Sequence, residues 1–159
     1  MYSEIASKIL LAAKESHLKN ADALIEEAIL HALTFVLRNE WVDCLVPIPS
    51  RKSAARLRGR QFVEEISNRL SLRTGIPVKS ILAHQRNVRD QSGLHSQERR
   101  NNLDGALVVR GIQGELGRAL LVDDLVTTGA TLAEGARALR YAGIEVAGAV
   151  TAALAQPVR

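Results

Sequence analysis

The sequence predicts an α/β fold: a doubly wound, mainly parallel sheet with helices on both faces. Three observations predict it. Short apolar runs alternate with helix-spaced patterns through the last two-thirds of the 159 residues, the order that builds a parallel sheet through helical crossovers. Hydrophobic residues make up 47% of the chain but aromatics only 3%. The core must therefore be Leu, Val, Ile and Ala, as in strands buried on both faces. The run Ala119–Val122 ends in Asp123 and Asp124 and passes through a Thr/Gly loop into a helical pattern. Open α/β sheets bind ligands at such carboxyl-end loops.

The elements follow in order. Residues 4–18 carry Ile5, Ile9, Leu10 and Ala13 at helical spacing. Residues 21–38 show a wider stripe from Leu24 to Leu37, with Asn20 as the expected N-cap and Asp22 in the first turn. Residues 42–46 read as a strand closed by Pro47 and Pro49. Phe62, Ile66 and Leu70 place a helix over 61–73, ended by Gly75 and Pro77. Residues 78–82 and 106–109 are expected strands. Between them, 84–102 is polar, charged and long for an ordinary connection, which marks a functional or disordered loop. A strand is expected over 118–123, a helix over 131–142 and a last strand over 146–154. Thr131 and Glu134 have capping-box spacing, and Gly143 is the expected stop. The three glycines at 111, 114 and 117 precede a strand, so they are no dinucleotide fingerprint. The whole of 1–159 reads as one domain, with a helical part over 1–40 and an α/β core over 41–159.

Composition narrows the function. The net charge of +4 favours anionic ligands without specifying nucleic acid. Two Phe, two Tyr and one Trp are too few for a base-stacking surface. The single cysteine, Cys44, excludes an internal disulfide and a cysteine-based zinc site. His17, His31, His84 and His95 lack metal-ligand spacing. No apolar run reaches membrane-spanning length and no signal peptide is visible, so the expectation is a soluble, cytoplasmic protein without membrane contact.

The chemistry concentrates in two places. Asp123 and Asp124 at a buried strand end repel each other and lose hydration, so they call for a compensating ligand. Val126, Thr127, Thr128, Gly129, Ala130 and Thr131 offer backbone N–H groups, hydroxyls and a helix N-terminus, which together suit a phosphate. Acids beside a phosphate cradle point to a sugar phosphate. The second place is Ser50, Arg51 and Lys52, directly after the expected first strand. These three offer one hydroxyl and two cations, and from Arg51 to Arg60 there are five cations and no acid, like charges that repel unless an anion is nearby.

The Asp-Asp-x-x-Thr-Thr-Gly-x-Thr spacing of 123–131 resembles the phosphoribosyl-pyrophosphate (PRPP) motif of type I phosphoribosyltransferases. The resemblance implies that Asp123 and Asp124 take the ribose hydroxyls and act as the catalytic acids. Val126–Thr131 would wrap the 5′-phosphate, and Ser50–Lys52 would hold pyrophosphate. Mg²⁺ would arrive with PRPP and reach Asp123 and Asp124 directly or indirectly; no zinc is implied. Family members close a mobile loop over the site, which here falls on the polar segment with Arg89, Arg99 and Arg100 as diphosphate contacts. Residues 1–40 or the final residues would supply the hood for the acceptor.

Pro47-x-Pro49, the basic stretch, Arg89 to Leu94 and Glu98 to Asn101 together resemble the ComF family of competence-associated phosphoribosyltransferase-like proteins. Arg58-Gly59-Arg60-Gln61-Phe62 stands where that family often has Arg-Gly-Phe-Asn. Many relatives begin with a cysteine-rich zinc-binding segment, and this sequence has none. Three functions follow as expectations: a transferase acting on PRPP and an unidentified acceptor, a PRPP-binding module without turnover, or an accessory protein meeting DNA or competence proteins. A homodimer is a further option. The structural expectation is that Asp123, Asp124 and Thr127–Thr131 share one cleft with Ser50–Lys52.

Overall fold

The computed structural model describes residues 19–50, 61–85, 105–111 and 116–154. Helix α1 spans Lys19–Leu37, strand β1 Cys44–Pro47, helix α2 Phe62–Thr74, β2 Leu82–His84 and β3 Leu107–Val109. Strand β4 spans Arg118–Val126, helix α3 Ala130–Tyr141 and β5 Glu145–Leu154. The expected helix over 4–18 lies outside the described residues.

Strand β4 is the middle of a parallel sheet ordered β1-β4-β5. Its run Ala119–Val122 is almost fully buried, as expected of a strand covered on both faces. Cys44 pairs with Ala119 and Pro47 with Val122, while Arg118 pairs with Glu145 and Val126 with Leu154. A register shift between Ala119 and Leu120 makes a bulge at Gly148, whose φ of 151° few other residues adopt.

Side-chain alternation sends this run into two cores. Leu45, Leu120 and Val122 pack with Ile25, Ile29 and Leu33 of α1 and with Phe62, Ile66 and Leu70 of α2. Cys44, Val46, Ala119 and Leu121 face the other way and pack with Ala138 and Leu139 of α3, Leu82 of β2 and Leu107 of β3. Helices thus cover both faces of a parallel sheet. Gly135 lets α3 approach closely: a Cβ there would lie 2.9 Å from Ile48 Cδ1 and 3.4 Å from Leu121 Cδ2.

Three local expectations are corrected. The strand expected over 78–82 divides. Val78 makes a single parallel bridge to Leu45, and the chain then turns so that β2 pairs antiparallel with β3. Pro77, having no N–H to donate, bounds the bridge on its amino side, and beyond it the Ile81 amide turns back to the Lys79 carbonyl at 2.9 Å, which takes the chain away from β1. Asn20 lies inside α1 and does not cap it. The Thr131–Glu134 capping box does not form: Gly129 is the N-cap of α3, with φ of 74° and no side-chain cap bond. Glu134 is buried against β3, and its carboxylate serves a backbone there.

At the amino edge of the sheet, the Asp43 carboxylate accepts hydrogen bonds from the Arg118 amide at 2.7 Å and from Trp41 Nε1 at 2.7 Å. These donors, the Arg118 amide first, hold its pKa below the ordinary value. Among the described residues no helix is long and apolar enough to cross a membrane.

Candidate functional site

The carboxyl ends of β1 and β4 lie side by side, because the strands are parallel neighbours. The helix after β1 packs on one sheet face and the helix after β4 on the other. From β1 the chain moves outward to Val78, and from β4 it moves the opposite way to β5. This is a topological switch point, where the two crossovers part and leave a crevice.

Strand β1 lets go first. The last bond across the pair runs from the Ile48 amide to the Val122 carbonyl at 2.9 Å. Strand β4 continues for four more residues, paired with β5 alone. Asp123 and Asp124 occupy this extension, inside the strand and not beyond it. Asp124 is buried and Asp123 half-buried. The Asp124 amide donates to Asp123 Oδ1 at 2.9 Å, which orients one carboxylate relative to the other.

Thr127 and Thr128 are exposed beyond Val126. Thr128 Oγ1 accepts from the Ala130 amide at 3.4 Å, and the Gly129 carbonyl takes the first helical bond, from Ala133 at 2.9 Å. The left-handed Gly129 turns the chain sharply enough for α3 to start within four residues of the strand. An α-helix leaves its first amides without intrahelical acceptors and carries partial positive charge there, so this end favours an anion. Ala130 and Thr131 form the first turn.

Ser50 is half-buried, three residues beyond the end of β1. It therefore leaves the sheet at the carboxyl edge, the same edge as the acids and the Thr/Gly loop. Arg51, Lys52, Arg89, Arg99 and Arg100 lie outside the described residues, as does His95.

Two features of this edge escape sequence reasoning. His84 Nε2 lies 3.1 Å from the Pro49 carbonyl, so β2 touches the loop after β1. Glu134 and Arg137 clamp β3. The Leu107 amide donates to Glu134 Oε1 at 3.0 Å, and Arg137 Nη2 donates to the Leu107 carbonyl at 3.0 Å. Arg137 also grips the carboxylate through Nε at 2.7 Å and Nη2 at 2.7 Å. Burial pushes the Glu134 pKa up, but the Arg137 bonds and the Leu107 amide outweigh it and hold the group below its ordinary value. A helical i, i+3 Glu–Arg spacing was the available signal, and it looks like any surface pair until β3 is placed against it.

Among the described residues no cluster of three or more His, Cys, Asp or Glu could hold a metal ion. Two carboxylates at an open crevice fit Mg²⁺ that arrives with substrate phosphates, because this ion keeps most of its ligands as water and phosphate oxygens.

An open parallel sheet with paired acids and a helix-borne Thr/Gly loop at its switch point is the arrangement that suits a nucleotide or sugar phosphate. The chain belongs to the phosphoribosyl transferase domain family, whose pattern matches residues 43–158. Within it the chain is ComF-like: competence protein F of Haemophilus influenzae is 32% identical over 106 residues, covering 65% of this chain and 46% of that protein. A hypoxanthine/guanine phosphoribosyltransferase of Methanosarcina barkeri is 32% identical over 81 residues, covering 51% of this chain and 41% of that protein. The chain thus spans less than half the length of these two relatives. Orotate phosphoribosyltransferase from Aeropyrum pernix shares the fold, with a TM-score of 0.51 at 16% identity over 87% of this chain and 73% of that one.

Proposed function

We propose that this domain binds PRPP with Mg²⁺ and transfers its ribosyl 5-phosphate to a base or other acceptor, releasing pyrophosphate. The observation that carries the reading is the joint position of Asp123, Asp124 and the Thr127–Gly129 turn at the switch point, beside the end of β1.

The division of labour follows from chemistry. Asp123 and Asp124 accept hydrogen bonds from the ribose hydroxyls and stabilise positive charge that develops on the ring. Val126–Thr131 supply amides and hydroxyls to the 5′-phosphate at the head of α3. Ser50, Arg51 and Lys52 hold the diphosphate. Arg89, Arg99 and Arg100 lie on the connection that leaves β2 and returns to β3, and they meet the same group. The bond from C1′ to the diphosphate oxygen breaks with its electron pair going to pyrophosphate. The acceptor bonds to C1′ and gives up a proton. Bound Mg²⁺ supplies charge neutralisation to the leaving diphosphate. Positioning does the rest, and no protein nucleophile is required.

Similarity to competence protein F favours a second reading: an accessory protein of DNA uptake that keeps the ligand site without turnover and meets DNA or another competence protein.

Calorimetry with Mg–PRPP, on the wild type and on Asp123→Asn/Asp124→Asn, tests the site. Saturable binding that disappears in the double variant supports it, and acceptor-dependent pyrophosphate release then separates transferase from binding module. A folded wild type that binds no PRPP sinks the proposal. Salt-sensitive DNA binding that survives the double variant moves the accessory reading to first place.

A further inference from the structure

We propose that His84 is a positioning residue for the ligand crevice. It fixes the loop after β1 through the Pro49 carbonyl and is itself held by α3, so that the loops on the two sides of the crevice keep a set separation. The inference rests on the reading of Ser50 as a diphosphate contact.

The need for such a grip is written in the loop. Pro47 and Pro49 have no N–H groups, so the segment cannot extend the ladder to β4. The Ile48 amide makes the last bond, to Val122 at 2.9 Å. Beyond it the Pro49 carbonyl takes its hydrogen bond from His84 Nε2 at 3.1 Å, one residue before Ser50. A carbonyl oxygen only accepts, so Nε2 must carry a hydrogen. Both the Nε2–H tautomer and the imidazolium meet that requirement.

His84 is placed from the other side of the site. In the β2–β3 register it stands opposite Leu107. Both backbone groups of Leu107 are bound by α3, the amide by Glu134 at 3.0 Å and the carbonyl by Arg137 at 3.0 Å. Glu134 lies one turn into α3, whose N-cap is Gly129 of the Thr/Gly loop. The path therefore runs from that loop through α3, Leu107 and His84 to Pro49 and Ser50. It bypasses the β1–β4 ladder, which has ended at this depth. A path of hydrogen bonds and strand pairing, anchored on the Glu134–Arg137 ion pair with its carboxylate buried and its guanidinium part-exposed, resists displacement better than a proline-rich loop alone.

The test compares two ligands by calorimetry: Mg–PRPP, which carries the diphosphate, and ribose 5-phosphate, which does not. Three variants are used. His84→Gln keeps an N–H donor near the reach of Nε2, His84→Asn is polar but one methylene too short, and His84→Leu removes the donor. Thermal unfolding of each shows that the folded protein is being compared. With Leu or Asn, affinity for Mg–PRPP is expected to fall about tenfold, the scale of one hydrogen bond, against about twofold or less for ribose 5-phosphate. His84→Gln should recover most of the loss. The ¹⁵N shifts of the wild-type imidazole should show hydrogen on Nε2. Equal losses for the two ligands, or none for either, would overturn the positioning role while leaving the PRPP reading intact. A wild type that binds neither ligand would overturn that reading and this proposal with it.

Discussion

The Leu107 amide and the Glu134 carboxylate, 27 residues apart in the chain, meet at 3.0 Å between β3 and α3. The contact fastens a three-residue strand to the helix that begins at the Thr/Gly loop. It also makes stability depend on a charge. The folded pKa of Glu134 is lowered from 4.5, so its ionised form stabilises the protein fully above that value. The stability is lost as pH falls through the lower folded value. Glu134→Gln is expected to cost about 2 kcal/mol at pH 7, because Arg137 then faces a neutral amide. The deficit should shrink well below pH 4.5. Urea unfolding at pH 7 and at pH 3 checks both statements.

Two glycines with similar positive φ should fail in different ways. At Gly117, φ is 64° and a Cβ would lie 2.3 Å from Asp43 Oδ2, the atom that holds the Arg118 amide. Gly117→Ala should lower stability by about 2 kcal/mol or more, from the left-handed backbone and the clash together. It lies at the amino edge, so ligand affinity of the folded protein should not change.

At Gly129, φ is 74° and nothing lies within 4 Å of the added carbon. Gly129→Ala should cost only the backbone preference, about 1 kcal/mol. Its larger effect should fall on binding, with a loss of roughly tenfold or more in Mg–PRPP affinity, because the turn sets the direction of the first amides of α3. Denaturation midpoints and calorimetry on the two variants separate these outcomes.

Burial should decide the cost of leucine truncation. Leu120 is fully buried in the central strand against α1 and α2, and Leu120→Ala should cost about 3 kcal/mol. Leu72 on α2 is 87% exposed, and Leu72→Ala should stay within about 0.5 kcal/mol of the wild type. Equilibrium unfolding monitored by circular dichroism provides the comparison.

Much of the fold was legible because its signals are local. The stripe over 21–38 and the four-residue spacing of Phe62, Ile66 and Leu70 repeat the helical period, and the continuous apolar runs of β1 and β4 have the length and flanks of strands buried on both faces. Strands β2 and β3 have three residues each, too few to show a period. Residues 78–82 therefore read as one strand, when Val78 bridges β1 and Leu82 begins a separate antiparallel pair. Thr131 and Glu134 matched a capping box by spacing alone. A local pattern does not register that Glu134 faces Leu107.

By itself, the sequence determined the alternation of strands and helices, the aliphatic core, and the acids and Thr/Gly loop of the candidate site, because residue type and spacing along the chain carry these. Tertiary structure alone decided that β1 and β4 are neighbours with crossovers to opposite faces, that β1 ends opposite Val122, and that His84 reaches Pro49. Those relations join residues far apart in the chain. They are set by strand order and by the packing of both sheet faces, which no window of sequence contains.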